Sequence, residues 1–292
     1  MHFSIRFLTE YRYEHPVSDN LNALRVRPAT TSTQRCDEFH TRIDPEARVS
    51  RHLDYFGTEV LEFGIPTSHE QLTIDVRARV VTSAPPPPPH GPWTGVRSDA
   101  YVEAAGEFLL PWQDQPAIAG LDGLQGSIGA ASDPLAALKL LIELIPDTFE
   151  YRRGATYVGS TVTDLLEAGA GVCQDFVHVS LVLLRRHGIA ARYVSGYLWA
   201  APEDEGSDSL EVDTHAWLEA LLPGTDGRGE PVWVGVDPTN RRLTGETHVK
   251  IGHGRFYADT PPVKGVYRGG GSSALDANVQ MSRLDPQAGA RA

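Results

Sequence analysis

Five consecutive prolines, Pro85 to Pro89, divide this 292-residue chain into two stretches of different periodicity. Proline lacks an N–H and has a fixed φ, so the run cannot join a sheet ladder and reads as a stiff, extended spacer. Upstream, apolar and polar residues alternate in Phe3-Ser4-Ile5-Arg6-Phe7, in Ala23-Leu24-Arg25-Val26-Arg27 and from Leu72 to Val80. Period two is the signature of strands with one buried face. Asp54-Tyr55-Phe56-Gly57 and Gly64-Ile65-Pro66 supply turn signals between them. Residues 1–84 are therefore expected to form an all-β, sandwich-like domain, and 85–98 a proline-rich linker.

Beyond the linker the pattern is mixed, which predicts an α+β domain over 99–268. Asp99 to Leu110 reads as a short helix. Asp133-Pro134 places an N-cap and a first-turn proline ahead of the apolar run from Leu135 to Leu144, which predicts a buried helix. A brief helix is expected over Thr163–Ala168, and an amphipathic one over 174–187 with Gly188 as its stop. Ala191–Leu198, His215–Leu222 and Val232–Asp237 read as strands. Residues 269–292 form a glycine-rich tail with at most one strand and a mobile end.

Composition excludes several classes. The formal net charge of −12 and pI near 5.3 argue against nucleic acid and anionic membranes as partners. No stretch approaches 18 uncharged apolar residues, and the amphipathic first residues lack the apolar core of a signal peptide. Cys36 and Cys173 lie too far apart in the chain to suggest a disulfide framework. A cytoplasmic protein with free thiols is the expectation.

The chemistry centres on Gly171-Val172-Cys173-Gln174-Asp175-Phe176. A cysteine at a helix start sits at the positive end of the dipole, which favours thiolate. A free thiol with pKa of roughly 8.5 is otherwise mostly neutral at pH 7. Downstream stand His215, in Thr214-His215-Ala216-Trp217, and Asp237, in Val236-Asp237-Pro238-Thr239-Asn240. A hairpin centred on Asp226 sets His215 directly opposite Asp237, on the face that also carries Trp217, Glu219, Trp233 and Gly235. Cys173, His215 and Asp237 are thus candidates for nucleophile, general base and orienting carboxylate.

The backbone N–H of Cys173 is the first oxyanion candidate, with Gln174 and Tyr151 as candidates for a second donor. Asp175 is read as a first-turn partner of the helix dipole, His178 as packing or bonding within its helix, and Cys36 as incidental. Cys173, His178 and His215 offer three metal ligands, but the chain has no Cys-x-x-Cys or His-x-x-x-His pair. No metal and no other cofactor is expected, and with no acidic calcium loop in evidence, calcium independence is expected too.

These segments resemble the bacterial transglutaminase-like proteins. The likeness runs through Gly171 to His178, Arg185 to Tyr197, His215-Ala216-Trp217 and Val236 to Asn240. It extends to Tyr11-Arg12-Tyr13 and Leu24 to Pro28, and to Tyr257-Ala258-Asp259 and Pro262 to Gly269. The resemblance implies a papain-like α+β catalytic core with Cys173, His215 and Asp237 as its triad, within the transglutaminase-like cysteine protease superfamily. It implies thiol-dependent acyl transfer on protein or peptide carboxamides through a thioester, by amine transfer or deamidation. The alternatives are a cysteine peptidase or amidase, and a catalytically silent peptide-binding module. Trp217, Tyr257 and Asp259 are substrate-binding candidates. One departure is Phe256, where relatives carry an acidic residue.

Overall fold

The computed structural model describes residues 1–111, 120–200, 209–212, 214–225 and 229–284. The expected hairpin centre at Asp226 and the last residues of the tail lie outside them.

Strand β1 (His2–Leu24) organises the N-terminal half. Phe3, Ile5, Phe7 and Thr9 are buried while their neighbours are not, the alternation that a one-sided core imposes. Its first half pairs with β5 (His69–Thr82) and β15 (Ser273–Arg283). After register shifts, its second half pairs with β4 (Glu59–Ile65) and β14 (Val263–Arg268). The flanks are β2 (Gln34–Asp44) on β5, β3 (Ser50–Leu53) on β4, and β9 (Ser209–Val212) on β15. One bent strand thus carries two antiparallel wings around Phe3, Ile5, Leu24, Leu61, Leu72, Ile74 and Met281.

Three local expectations change. The strand expected over Ala23–Arg27 ends at Leu24, and the turn expected at Gly64 is instead the end of β4. Most consequentially, β9, β14 and β15 join the sheet of β1. Residues 263–283, assigned from sequence to the end of the catalytic domain and a loose tail, therefore complete the N-terminal sheet. The proline run has no regular secondary structure. It does not hold two bodies apart, because Tyr197, Trp199, Val249 and Ile251 from the later sheet are buried in the N-terminal core.

The second half begins with α1 (Asp99–Ala105), capped by Ser98, whose hydroxyl accepts the Tyr101 N–H. The expected helix to Leu110 breaks at Gly106, with φ of 48°, and continues as a 3₁₀ turn to Leu109. Helix α2 (Asp122–Gly129) had no strong sequence signal. In α3 (Pro134–Thr148) the Asp133 carboxylate accepts the Ala136 N–H at 2.8 Å, and Leu135, Leu138, Leu141 and Ile145 are buried. Each such side chain contributes about 2 kcal/mol. Helix α4 (Val162–Ala168) opens with a Thr161–Asp164 capping box. A short parallel bridge, β6 (Glu150–Tyr151) with β7 (Ala170–Gly171), leads into α5 (Cys173–Arg186). Gly188, with φ of 77°, ends the turn after α5 in a conformation that disfavours any Cβ.

Helix α5 packs on an antiparallel sheet of order β12-β11-β10-β8-β13. Its strands are β8 (Ala191–Leu198), β10 (Thr214–Leu222), β11 (Val232–Asp237), β12 (Arg242–Leu243) and β13 (His248–Gly254). Phe176, Val177, Leu181 and Leu184 of α5 share a core with Ala216, Leu218 and Ala220 of β10. Leu218 pairs with Val236 and Glu219 with Gly235. That register lies two residues from the one expected, because the pairing centres on position 227 rather than 226. A slip of two keeps every side chain on its face, so His215 and Asp237 still share a side, on a diagonal.

Candidate active site

Cys173 is the first residue of α5. Its N–H is therefore among the helix's opening donors, which no carbonyl within the helix can take. The entry is locked from below: the Asp175 carboxylate accepts the Val172 N–H at 2.8 Å and the Thr156 hydroxyl at 2.6 Å. Asp175 is buried at 2% exposure, a rigid first-turn anchor of the kind a capping box supplies.

His215 stands near enough to Cys173 for the thiol to raise its pKa. Its Nε2–H donates to Asp237 Oδ2 at 2.9 Å, which leaves Nδ1 as the ring nitrogen for the sulfur. Burial alone would lower the pKa of His215. Hydrogen bonds to Asp237 and Cys173, and the charge of each, outweigh burial and raise it to about 9. The imidazole is thus held as imidazolium at neutral pH. Trp217, buried at 2% exposure, stacks on it at 6.0 Å between ring centroids. Gly196 on β8 makes the space, since a Cβ there would overlap the Trp217 indole.

Asp237 is fully buried and accepts from several donors. Besides His215, Asn240 donates to it from Nδ2 at 2.8 Å and from its backbone N–H at 3.1 Å. A second histidine, His248, lies with Nε2 at 3.1 Å from the same Oδ2. The Gly245 N–H donates to His248 Nδ1 at 3.3 Å, so the ring's proton sits on Nε2 and points at the carboxylate. Burial lowers the pKa of His248, keeping it neutral. Burial would raise the carboxyl of Asp237, yet the bonds from His215 and His248 hold it well below the usual range.

Other sequence candidates fall around this group to different degrees. Gln174 is the half-buried second residue of α5, and the Tyr151 ring stands edge-on to Phe176 at 6.1 Å. Tyr193 is fully enclosed; burial first, and then the charge of Cys173, raise its pKa. Its ring meets Tyr257 at 6.0 Å. Asp259 is engaged elsewhere: it accepts from the Arg255 N–H at 2.9 Å and the Arg255 guanidinium at 3.1 Å. Phe256 covers the buried Arg185 guanidinium at 4.6 Å.

His178 packs in the core, the first of its two expected roles, with its ring 5.4 Å from that of Tyr193. Its Nε2 accepts the Tyr257 N–H at 3.4 Å, so that lone pair is committed to backbone rather than to a metal. Burial pushes its pKa down to about 4. Cys36 sits on β2, donating to the Glu38 carbonyl at 3.4 Å.

Sequence reasoning missed His248 and the amide of Asn240. Asn240 stood inside a recognised motif and was readable as an Asx-type partner of Asp237. His248, in Thr247-His248-Val249-Lys250, carries no local signal, because only the return of β13 beside β8 brings it to the carboxylate.

An antiparallel sheet backed by a buried helix, with cysteine at the helix start and histidine and aspartate on adjacent strands, defines a papain-like α+β fold. The sequence pattern of the bacterial transglutaminase-like N-terminal region matches residues 3–81, and that of the transglutaminase-like superfamily matches 123–238. An uncharacterized protein of Mycobacterium leprae is 32% identical over 277 residues, covering 94% of this chain and 96% of that protein. The chain belongs to the bacterial transglutaminase-like family. The protein-glutamine gamma-glutamyltransferase of Pseudomonas aeruginosa is 28% identical over 168 residues, which span 55% of this chain and 24% of that protein. The fold also matches the crystal structure of a Cytophaga hutchinsonii protein provisionally described as a cysteine protease. There the TM-score is 0.73 at 22% identity, covering 98% of this chain and 91% of that one. Among the described residues no helix is long and apolar enough to cross a membrane.

Proposed function

We propose that this protein is a cysteine acyl-transfer enzyme acting on protein or peptide carboxamides. The single observation that carries the reading is the placement of His215, with Nε2 on Asp237 and Cys173 within reach of the same ring. Cys173 Sγ attacks the amide carbon, and the new C–S bond pushes charge onto the carbonyl oxygen. The Cys173 N–H receives that charge, with Gln174 or Tyr151 as second donor. Collapse breaks the C–N bond; the nitrogen takes a proton from His215 and leaves as ammonia, and a thioester remains. An amine then attacks the thioester, His215 takes its proton, and the C–S bond breaks to return Cys173. Water in place of the amine gives deamidation. Asp237 keeps the imidazole in the required tautomer throughout.

Support for amine transfer comes from the likeness to the glutamyltransferase of Pseudomonas aeruginosa. Trp217 and Tyr257 are proposed to line the substrate: the Trp217 ring stacks on His215, and the Tyr257 ring meets Tyr193, whose pKa burial and then the charge of Cys173 raise.

The test is incubation of the protein with glutamine peptides and a fluorescent amine, followed by mass spectrometry and ammonia assay. Amine incorporation that Cys173→Ala abolishes is the expected result. Peptide chain cleavage would move the reading to a cysteine peptidase. Iodoacetamide alkylation of Cys173 at the same rate in the parent and in His215→Ala would mean that the histidine does not activate the thiol. With no turnover as well, that would leave a silent binding module.

A further inference from the structure

Trp217, whose ring stacks on His215, also lines a second space. Between the later sheet, residues 31–34 and the first prolines lies a cavity of about 420 Å³. Its charged lining is Arg192, Glu219 and Lys250, and its rings are Trp217, Trp233 and His248. None of the triad residues lines it.

Glu219 accepts from Arg192 Nε at 2.6 Å and from Lys250 Nζ at 2.8 and 2.7 Å. The three side chains are only 12–15% exposed. The remaining groups are neutral: His248 gives its proton to Asp237, and His253, which accepts from Arg192 Nη1 at 3.1 Å, is held to about 3 by burial first and then by Lys250 and Arg192. Two cations therefore face one anion, an excess of one positive charge in a chain whose net charge is −12. A near-buried cation without a counter-charge is costly. The Arg192 guanidinium lies over the Trp233 ring, 4.0 Å from its centre. Its hydrogen bonds run from Nε and Nη1, none from Nη2 among the described residues, and Arg192 lines the cavity.

An excess of one charge calls for a monoanion, and the planar edge of a guanidinium matches the two oxygens of a carboxylate. The same excess repels amines. Trp217 and Trp233 supply aromatic surface for an apolar body beside the charge. We propose that this cavity binds a small monocarboxylate, its oxygens on Arg192 and Lys250 and its apolar part against the two tryptophans. A free carboxylic acid and the C-terminus of a short peptide share that chemistry. Binding requires no step at Cys173, so it stands or falls apart from the acyl-transfer reading.

The test uses the full chain carrying Cys173→Ala, so that no ligand is consumed. N-acetyl-leucine and N-acetyl-leucinamide are titrated by calorimetry and tryptophan fluorescence. The acid is expected to bind saturably and change the fluorescence, and the amide to bind at least about tenfold more weakly. Lys250→Gln is expected to weaken the acid by a similar factor. Ser32→Trp, an exposed change at the mouth of the cavity, should block binding while leaving the charged cluster intact. Tighter binding of the tetrapeptide Ala-Ala-Ala-Leu would assign the site to peptide C-termini, and tighter N-acetyl-leucine to free acids. Equal affinity for acid and amide, no saturable binding, or binding indifferent to both variants would overturn the proposal.

Discussion

Asp237 is a fully buried carboxylate on β11 and Glu219 a nearly buried one on the neighbouring β10, and both sit well below the ordinary range of their kind. Glu219 is held at about 2: burial opposes ionisation, but the charges of Lys250 and Arg192 overcome it. Asp237 is held instead by two imidazoles and an amide. Glu219 is held by a guanidinium and by an ammonium that burial pushes down to about 8 but leaves charged at neutral pH. The imidazole of His215 instead carries a proton that it can pass on while Asp237 stays charged. The sheet thus contains one cluster of cations on a carboxylate and one of imidazoles and an amide on a carboxylate, distinguished by the type of partner.

Asp237→Asn should show the largest effect. It preserves shape but removes the charge opposite His215, and thioester formation is expected to fall about a thousandfold, or about 4 kcal/mol. A rapid-mixing acylation assay measures it, and a fall below tenfold would erase the contrast with Glu219. Glu219→Gln should cost about 3 kcal/mol in denaturant unfolding, because it strands two buried cations. Alkylation of Cys173 in the folded variant should be unchanged; a loss as large as that of Asp237→Asn would make the two clusters one network.

His248→Leu should slow acylation about tenfold, or about 1.4 kcal/mol, by removing one donor from Asp237. His248→Gln, which keeps an N–H, should recover most of the rate; no recovery would reduce His248 to packing. The smallest effect is on pH profiles. Because His215 is raised to about 9, its protonated form contributes stability in full below the ordinary histidine value of about 6.5 and loses it as pH rises through about 9. Acylation, which needs its proton for the leaving group, should decline over the same upper range. In Asp237→Asn that decline should move down toward 6.5; an unmoved profile would assign it to another group.

The candidate triad was legible because each residue sits in a local pattern: glycine before a helix-opening cysteine, and histidine and aspartate on strands of alternating pattern. The face shared by His215 and Asp237 followed from period two, even though the register was displaced by two, since moving the hairpin centre by one residue shifts partners by two and keeps parity. Helix α3 was legible from Asp133 and Pro134, whose effects are local. What could not be read was long-range. His248 meets Asp237 only after β13 returns beside β8. Likewise, nothing in the alternation of 263–283 says that its partner strand lies at the other end of the chain.

That pairing has a consequence during synthesis. Residues 3–13 of β1 find Ser273–Arg283 opposite them, so β1 leaves the ribosome long before the strand that pairs with it. Until then one edge of β1 presents unpaired N–H and C=O groups beside an apolar face, the arrangement most open to pairing with another chain. Nascent chains stalled before residue 273 should consequently need chaperone cover.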